Sequence, residues 1–386
     1  KTKCLVILIV NLDMKMLKTS TLSEKMQTAT SDRGVCVAED NAWYQGCDMA
    51  MAYCRLTEQL AAKSGTKIEK EIRCLERFLK HDFLDYCPEG GLNLIDLGTG
   101  DGQKMILVIK ALNEGGKNAI RYIPVDSNPY ISRYAILSIL GSGKKIWNKE
   151  DAAKLFEPLG RFDFNDILYT DSVCIETLVR LSKLHSSRSE FIVRDEVTIP
   201  TAGLEIDFFQ NLPEVVSNAK RLNRNGMNVF CMLGNTFGNY LAENRNIFLD
   251  TLYDEMEFGE LFLLGLSLRP AEESFCSEQI RFLEREHLPG EEFMRLGADH
   301  PQAKYHIKYD PDSCYMKYSF VRPDKTIQEI GYSYLFDANE VVNDLNAAHL
   351  EVVSCESYPV TVDSGSLPST RDEPKYLTIL ARKTRR

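Results

Sequence analysis

The 386-residue sequence lacks several things at once. It has no CxxC pair, and its eleven cysteines are scattered from Cys4 to Cys355. An odd, unpaired set supports neither a secreted disulfide framework nor a zinc ribbon; it fits reduced thiols and a cytoplasmic location. The six histidines show no HExxH or similar spacing, so no metal is expected. Positive charge is in deficit: the formal net charge is -10. That argues against a nucleic-acid partner, because neutralising phosphates needs a basic surface. There is no internal repeat, no low-complexity tract and no apolar run long enough to cross a bilayer, so no membrane partner is expected.

The one unusual apolar run opens the chain. "KTKCLVILIVNL" joins a basic start to Cys4–Val10. It is similar to the core of a signal peptide, but charged "DMKMLKTS" follows in place of a small-residue cleavage site. A buried strand, or a non-native extension upstream of Met14, Met16 or Met26, is the expected explanation.

What is present is ordinary for a soluble globular chain: 44% hydrophobic and 26% charged residues. Residues 1–45 are rich in Ser, Thr, Lys and Asp and predict a poorly structured extension. Residues 46–90 are helical in pattern, with Leu56, Leu60, Ile68, Ile72, Leu75, Leu79 and Phe83 at helical spacings. From 91 to 268 apolar strands alternate with helices: Leu92–Leu97, Ile120–Val125, Met227–Leu233 and Leu261–Leu268 are the strands, each of the first three followed by a helical pattern. Continuous apolar strands between helices predict a doubly wound, mostly parallel α/β sheet covered on both faces. Residues near 141–200 predict an insertion into it, and 269–386 an α+β substrate-binding region with a hairpin turning at Pro311-Asp312-Ser313.

Three stretches carry chemistry, all at carboxyl ends of predicted strands, where ligands bind in such sheets. "NLIDLGTGDG", residues 93–102, leaves a buried strand and enters a helix. Gly98 and Gly100 permit unusual dihedrals and close approach of a ligand, and loop N–H groups at a helix start favour an anion. A dinucleotide site needs a small residue at the position of Gln103, which weakens a nicotinamide reading. The GxGxG spacing resembles instead the signature of class I S-adenosylmethionine (SAM) methyltransferases, with Asp96, Gly98, Thr99 and Gly100 as cofactor candidates. In "YIPVDSNP", Asp126 ends the next strand, where a carboxylate can accept both ribose hydroxyls of an adenosine; capping the following helix is the plainer alternative. Lys104 is a cation in the first helical turn, which opposes the helix dipole unless an anion is near. A cofactor carboxylate is one such anion. "MLGNTFGNYLAENRNIFL" places Gly234, Asn235, Thr236 and Asn239 on the same rim, with capping as the alternative role.

Together "DLGTGDGQK", "YIPVDSNP" and "LGNTFGNYLAENRNIFL" resemble the ergothioneine-pathway histidine Nα-methyltransferases and their fungal relatives that act on indole alkaloid amines. The resemblance covers about residues 48–382 and implies a class I methyltransferase-type sheet with an additional α+β substrate-binding domain. It implies SAM as cofactor and a small amine or amino acid as substrate. Asp207 and Phe208 match its acid–aromatic pair beside the adenine, Asn239 its catalytic asparagine that holds the substrate's amine and carboxylate, and Ser333 a substrate-contacting serine. Tyr318, with Tyr332 and Tyr334, is available to shape the pocket. Two positions depart: the family's substrate-facing tyrosine is missing from "LTEQL", Leu56–Leu60, and a glutamate is replaced by Gly331. The expected function is SAM-dependent N-methylation of an amino acid or related small amine. The alternatives are a nicotinamide oxidoreductase and an inactive methyltransferase-fold binding protein.

Overall fold

The computed structural model describes residues 53–54, 57, 67–81, 83–117, 120–126, 128, 131–132, 134–135, 138, 204–205, 208–222, 226–269, 304–321, 325, 327–358 and 375–385. The expectations for the N-terminal extension, for Leu56 and Leu60, for the 141–200 insertion and for Asp207 lie outside these residues.

Ten strands are described: β1 Leu92–Leu97, β2 Ile120–Asp126, β3 Leu204–Glu205, β4 Met227–Met232, β5 Leu261–Leu268, β6 Lys304–Asp310, β7 Tyr315–Val321, β8 Ile327–Tyr334, β9 Leu350–Tyr358 and β10 Lys375–Lys383. The α-helices are α1 Lys67–His81, α2 Phe83–Tyr86, α3 Gln103–Glu114, α4 Phe208–Leu222, α5 Ala242–Glu255 and α6 Ala338–Ala347. One seven-stranded sheet runs in the order β3-β2-β1-β4-β5-β10-β9, and β6-β7-β8 form a second sheet. β1 to β5 pair in parallel, while β10 is antiparallel to both β5 and β9.

The sheet forms because its central strands are apolar on both faces. Every residue of β1 and β5 is buried. Leu92 and Leu94 pack in one core with Leu75, Phe78 and Leu79 of α1 and Met105, Val108, Ile109 and Leu112 of α3. Ile95 and Leu97 point the other way, into a core with α4, α5 and α6. Side chains alternate along a strand, so both faces need helical cover, and both get it. This is the doubly wound, mostly parallel α/β sheet expected from the sequence.

The region after Leu268 departs from expectation. It does not stay apart as an α+β unit: β9 and β10 complete the main sheet, and only β6–β8 form a separate sheet. Apolar patterning identifies the β10 stretch as a strand but carries no information on its partner. Among the described residues no helix is long and apolar enough to cross a membrane.

Candidate functional site

Strand order reverses between β1 and β4, so the loops leaving these neighbours diverge and open a crevice at the sheet's carboxyl edge. The glycine loop leaves β1 and the "GNTFGN" turn leaves β4; both border this crevice, and Asp126 ends β2 beside it.

Gly98, Gly100 and Gly102 all have positive φ, at 69°, 57° and 74°. A β-carbon on Gly98 would stand 2.7 Å from Thr236 Cγ2, so the two turns touch where only glycine fits. On Gly100 it would meet the Tyr53 hydroxyl at 2.9 Å. Beneath the loop, Asp96 Oδ2 accepts from Thr99 Oγ1 at 2.6 Å and from Tyr122 Oη at 2.9 Å. Burial pushes the Asp96 carboxyl up to about 6, against those two hydrogen bonds and the charge of Lys104. Asp96 and Thr99 therefore act first as the lock that shapes the loop, and Thr99 is itself buried. Asp126 accepts from the Asn128 amide at 2.9 Å and from the Gly100 amide. Burial pushes it up to about 7; those donors pull it down, and the nearby Asp96 charge adds to the rise.

The anion beside Lys104 is Glu71 of α1: Lys104 Nζ lies 2.5 Å from Glu71 Oε2. The same ammonium is 3.0 Å from where a β-carbon on Gly234 would be. Gly234, at φ 99°, donates its N–H to Tyr376 Oη at 3.0 Å. Tyr376 reaches it from β10 across Gly265, where a β-carbon would lie 2.2 Å from the hydroxyl.

The substrate-side candidates divide. Asn239 ends the short 3-10 turn Thr236–Asn239 and is half-buried; it makes no side-chain hydrogen bond to another described residue. Asn235, expected on the cofactor, is occupied structurally. Its Nδ2 donates to Ser333 Oγ at 2.7 Å and to the Tyr334 carbonyl at 2.9 Å, and its Oδ1 accepts from the Ser267 amide at 3.0 Å. Ser333 is buried on the same face of β8 as Gly331, which stands opposite Tyr318 in β7. Phe208, expected beside an adenine, is buried in the core in edge contact with Phe248, at 6.4 Å between ring centres. An apolar ring at a helix start is drawn into the core when the core lies on that side.

Four residues at the site escape motif reasoning: Tyr53, Glu71, Tyr122 and Tyr376. Two had a signal. Tyr122 is a phenol among the buried residues of β2, and a buried hydroxyl seeks a partner. Gly265 interrupts "LFLLGLSL", and an isolated strand glycine marks close approach of another group. Tyr53 and Glu71 had none, because their contacts, with Gly100 and Lys104, are made across long sequence separations. Among the described residues no group of three or more His, Cys, Asp and Glu is arranged to hold a metal ion.

No protein-family model matches the chain, and no curated protein matches it. Among solved structures it is similar to the CcbJ methyltransferase from Streptomyces caelestis, at 11% identity over 88% of this chain and 100% of that one, with TM-score 0.39. A SAM-dependent methyltransferase from Anabaena variabilis is 12% identical over 88% and 96%, with TM-score 0.38. Human N-acetylserotonin methyltransferase in complex with SAM is 13% identical over 89% of this chain and 59% of that one, with TM-score 0.38. Likenesses at these scores carry no activity from one chain to another.

Proposed function

We propose that this chain is a SAM-dependent N-methyltransferase acting on an amino acid or a related small amine. The observation that carries the reading is the pairing, at one sheet edge, of a left-handed glycine loop with the buried Asp126 carboxylate. The loop leaves no room for β-carbons, and Asp126 supplies acceptors for sugar hydroxyls where an adenosine would lie. Lys104 supplies the cation for the ligand's carboxylate. Gly98, Gly100, Lys104 and Asp126 thus fit the cofactor. Asn235, Asp96 and Thr99 support the site without a direct bond of their own to the ligand, and Thr236 forms its wall.

When bound, SAM supplies a methyl on a sulfonium, already a good leaving group. The protein's part is positioning: a neutral amine must be held in line with the methyl carbon and the departing sulfur. Asn239, with its amide donor and acceptor on this rim, orients the amine. Tyr318 and Ser333 on the smaller sheet border the substrate.

Two measurements test the reading. Calorimetry with SAM is expected to show binding, and with nicotinamide dinucleotides none; the reverse would establish the oxidoreductase alternative. Incubation with SAM and a pool of amino acids and amines is expected to yield a methylated product. Binding of SAM without any product would favour an inactive methyltransferase-fold binding protein.

A further inference from the structure

We infer that Glu71, which lies outside the glycine loop and both strand-end turns, is a positioning residue that fixes Lys104 for the amino-acid end of the cofactor. The inference rests on the cofactor reading above.

Lys104 is the second residue of α3, where the positive end of the helix dipole repels a cation. Without a counter-charge its flexible stem would turn to solvent. Instead Nζ lies 2.5 Å from Glu71 Oε2, with the Glu71 side chain 4% exposed and that of Lys104 22% exposed. The acid end of the pair is buried and the lysine end is partly open. Glu71 is itself fixed, since α1 packs its Leu75, Phe78 and Leu79 into the core beneath.

The direction of Lys104 is set from the other side too. Its ammonium lies 3.0 Å from where a β-carbon on Gly234 would be, so a side chain there would crowd it. Gly234 is held by Tyr376, which enters through the gap at Gly265. Elements α1, α3 and β10 and the turn after β4 therefore converge on one ammonium beside the crevice. A lysine ammonium has three N–H donors, so pairing with Glu71 leaves donors for a ligand carboxylate. Ordering a long side chain costs rotamer entropy, and Glu71 meets that cost before the ligand arrives.

The test compares two nucleosides by calorimetry. S-adenosylhomocysteine carries the amino-acid group; 5′-methylthioadenosine keeps the adenosine and the sulfur but lacks it. Glu71→Gln is expected to weaken S-adenosylhomocysteine about tenfold and leave methylthioadenosine unchanged. Lys104→Met is expected to do at least as much, and the double variant no more than Lys104→Met alone, because both changes remove one interaction. Should Glu71→Gln fail to fold with Lys104 left unpaired, Glu71→Asp draws Nζ away from the rim and predicts the same selective loss. Equal weakening of both nucleosides, unchanged S-adenosylhomocysteine affinity, or additive losses in the double variant would overturn the inference. Failure of the unaltered protein to bind either nucleoside would instead overturn the cofactor reading on which it rests.

Discussion

Asn235 Nδ2 lies 2.7 Å from Ser333 Oγ, tying the turn after β4 to strand β8 of the smaller sheet. The same amide bonds the Tyr334 carbonyl and the Ser267 amide. Gly238 makes this possible: a β-carbon there would lie 2.5 Å from Asn235 Nδ2. One side chain thus joins β5, β8 and the turn that carries Asn239. Asn235→Ala is expected to lower stability by about 1.5–4.5 kcal/mol, three bonds at roughly 0.5–1.5 kcal/mol each. Ser333→Ala, losing one, is expected to cost about 1 kcal/mol. Denaturant midpoints check both, and equal costs would argue against the bridge.

The two buried carboxyls set opposite pH trends for folding and for ligand binding. Asp126 is pushed up to about 7 and Asp96 to about 6. In the unfolded chain both sit near 3.9. Between these limits the folded state holds protons that the unfolded state has released. Their contribution to stability is therefore fully present below about pH 4 and is lost as pH rises through 6 to 7. Ribose hydroxyls donate better to an ionised carboxylate, so ligand binding favours the charged form of Asp126. Melting temperature of the free protein is expected to fall from pH 5 to 8, while affinity for SAM rises toward pH 7 and then levels. Asp126→Asn flattens both profiles and weakens SAM binding. Affinity that fell with rising pH would exclude Asp126 as the acceptor.

Much of this site was legible in the sequence because it sits where strand ends meet turns. Gly98, Gly100, Asp126 and Gly234 were found by local signals: an apolar run, a glycine at the turn and an acid at the strand end. What was not legible depends on pairing between distant segments. β9 escaped notice because it is an edge strand whose residues are mostly half-exposed, so it has no apolar run to announce it. The carbonyl and hydroxyl that bind Asn235 lie about a hundred residues away, so nothing local separated a ligand-binding asparagine from a structural one. Lys104 shows the intermediate case: its place at a helix start demanded an anion, but not which one.

Asn239 occupies the end of the 3-10 turn without a side-chain hydrogen bond to any other described residue. Asn239→Ala is therefore expected to leave stability and SAM affinity nearly unchanged and to lower turnover by tenfold or more. That magnitude corresponds to about 1.4 kcal/mol of lost orientation in the transition state. Steady-state rates beside calorimetry separate the two. Equal losses in rate, affinity and stability would point to a structural cap.

The last expectation concerns selectivity: free histidine is a poor substrate, or none. The family resemblance alone would suggest histidine. Yet the tyrosine of that family is absent from "LTEQL", and its glutamate is Gly331. Gly331 stands opposite Tyr318 across β7 and β8, so an aromatic residue faces the position where that acid is missing. Ser333, two residues on, already accepts a hydrogen bond from Asn235. A buried imidazole needs partners, and each polar group left unpaired costs about 1–3 kcal/mol. Two such losses, taken as additive, lower specificity for histidine by about a hundredfold or more. The same changes make the pocket less polar and suit an aromatic or aliphatic amine. Methyl transfer to histidine, measured against a panel of other amino acids and aromatic amines, decides the matter. Efficient trimethylation of histidine would show that Tyr318 or a neighbouring tyrosine restores the missing hydrogen bond.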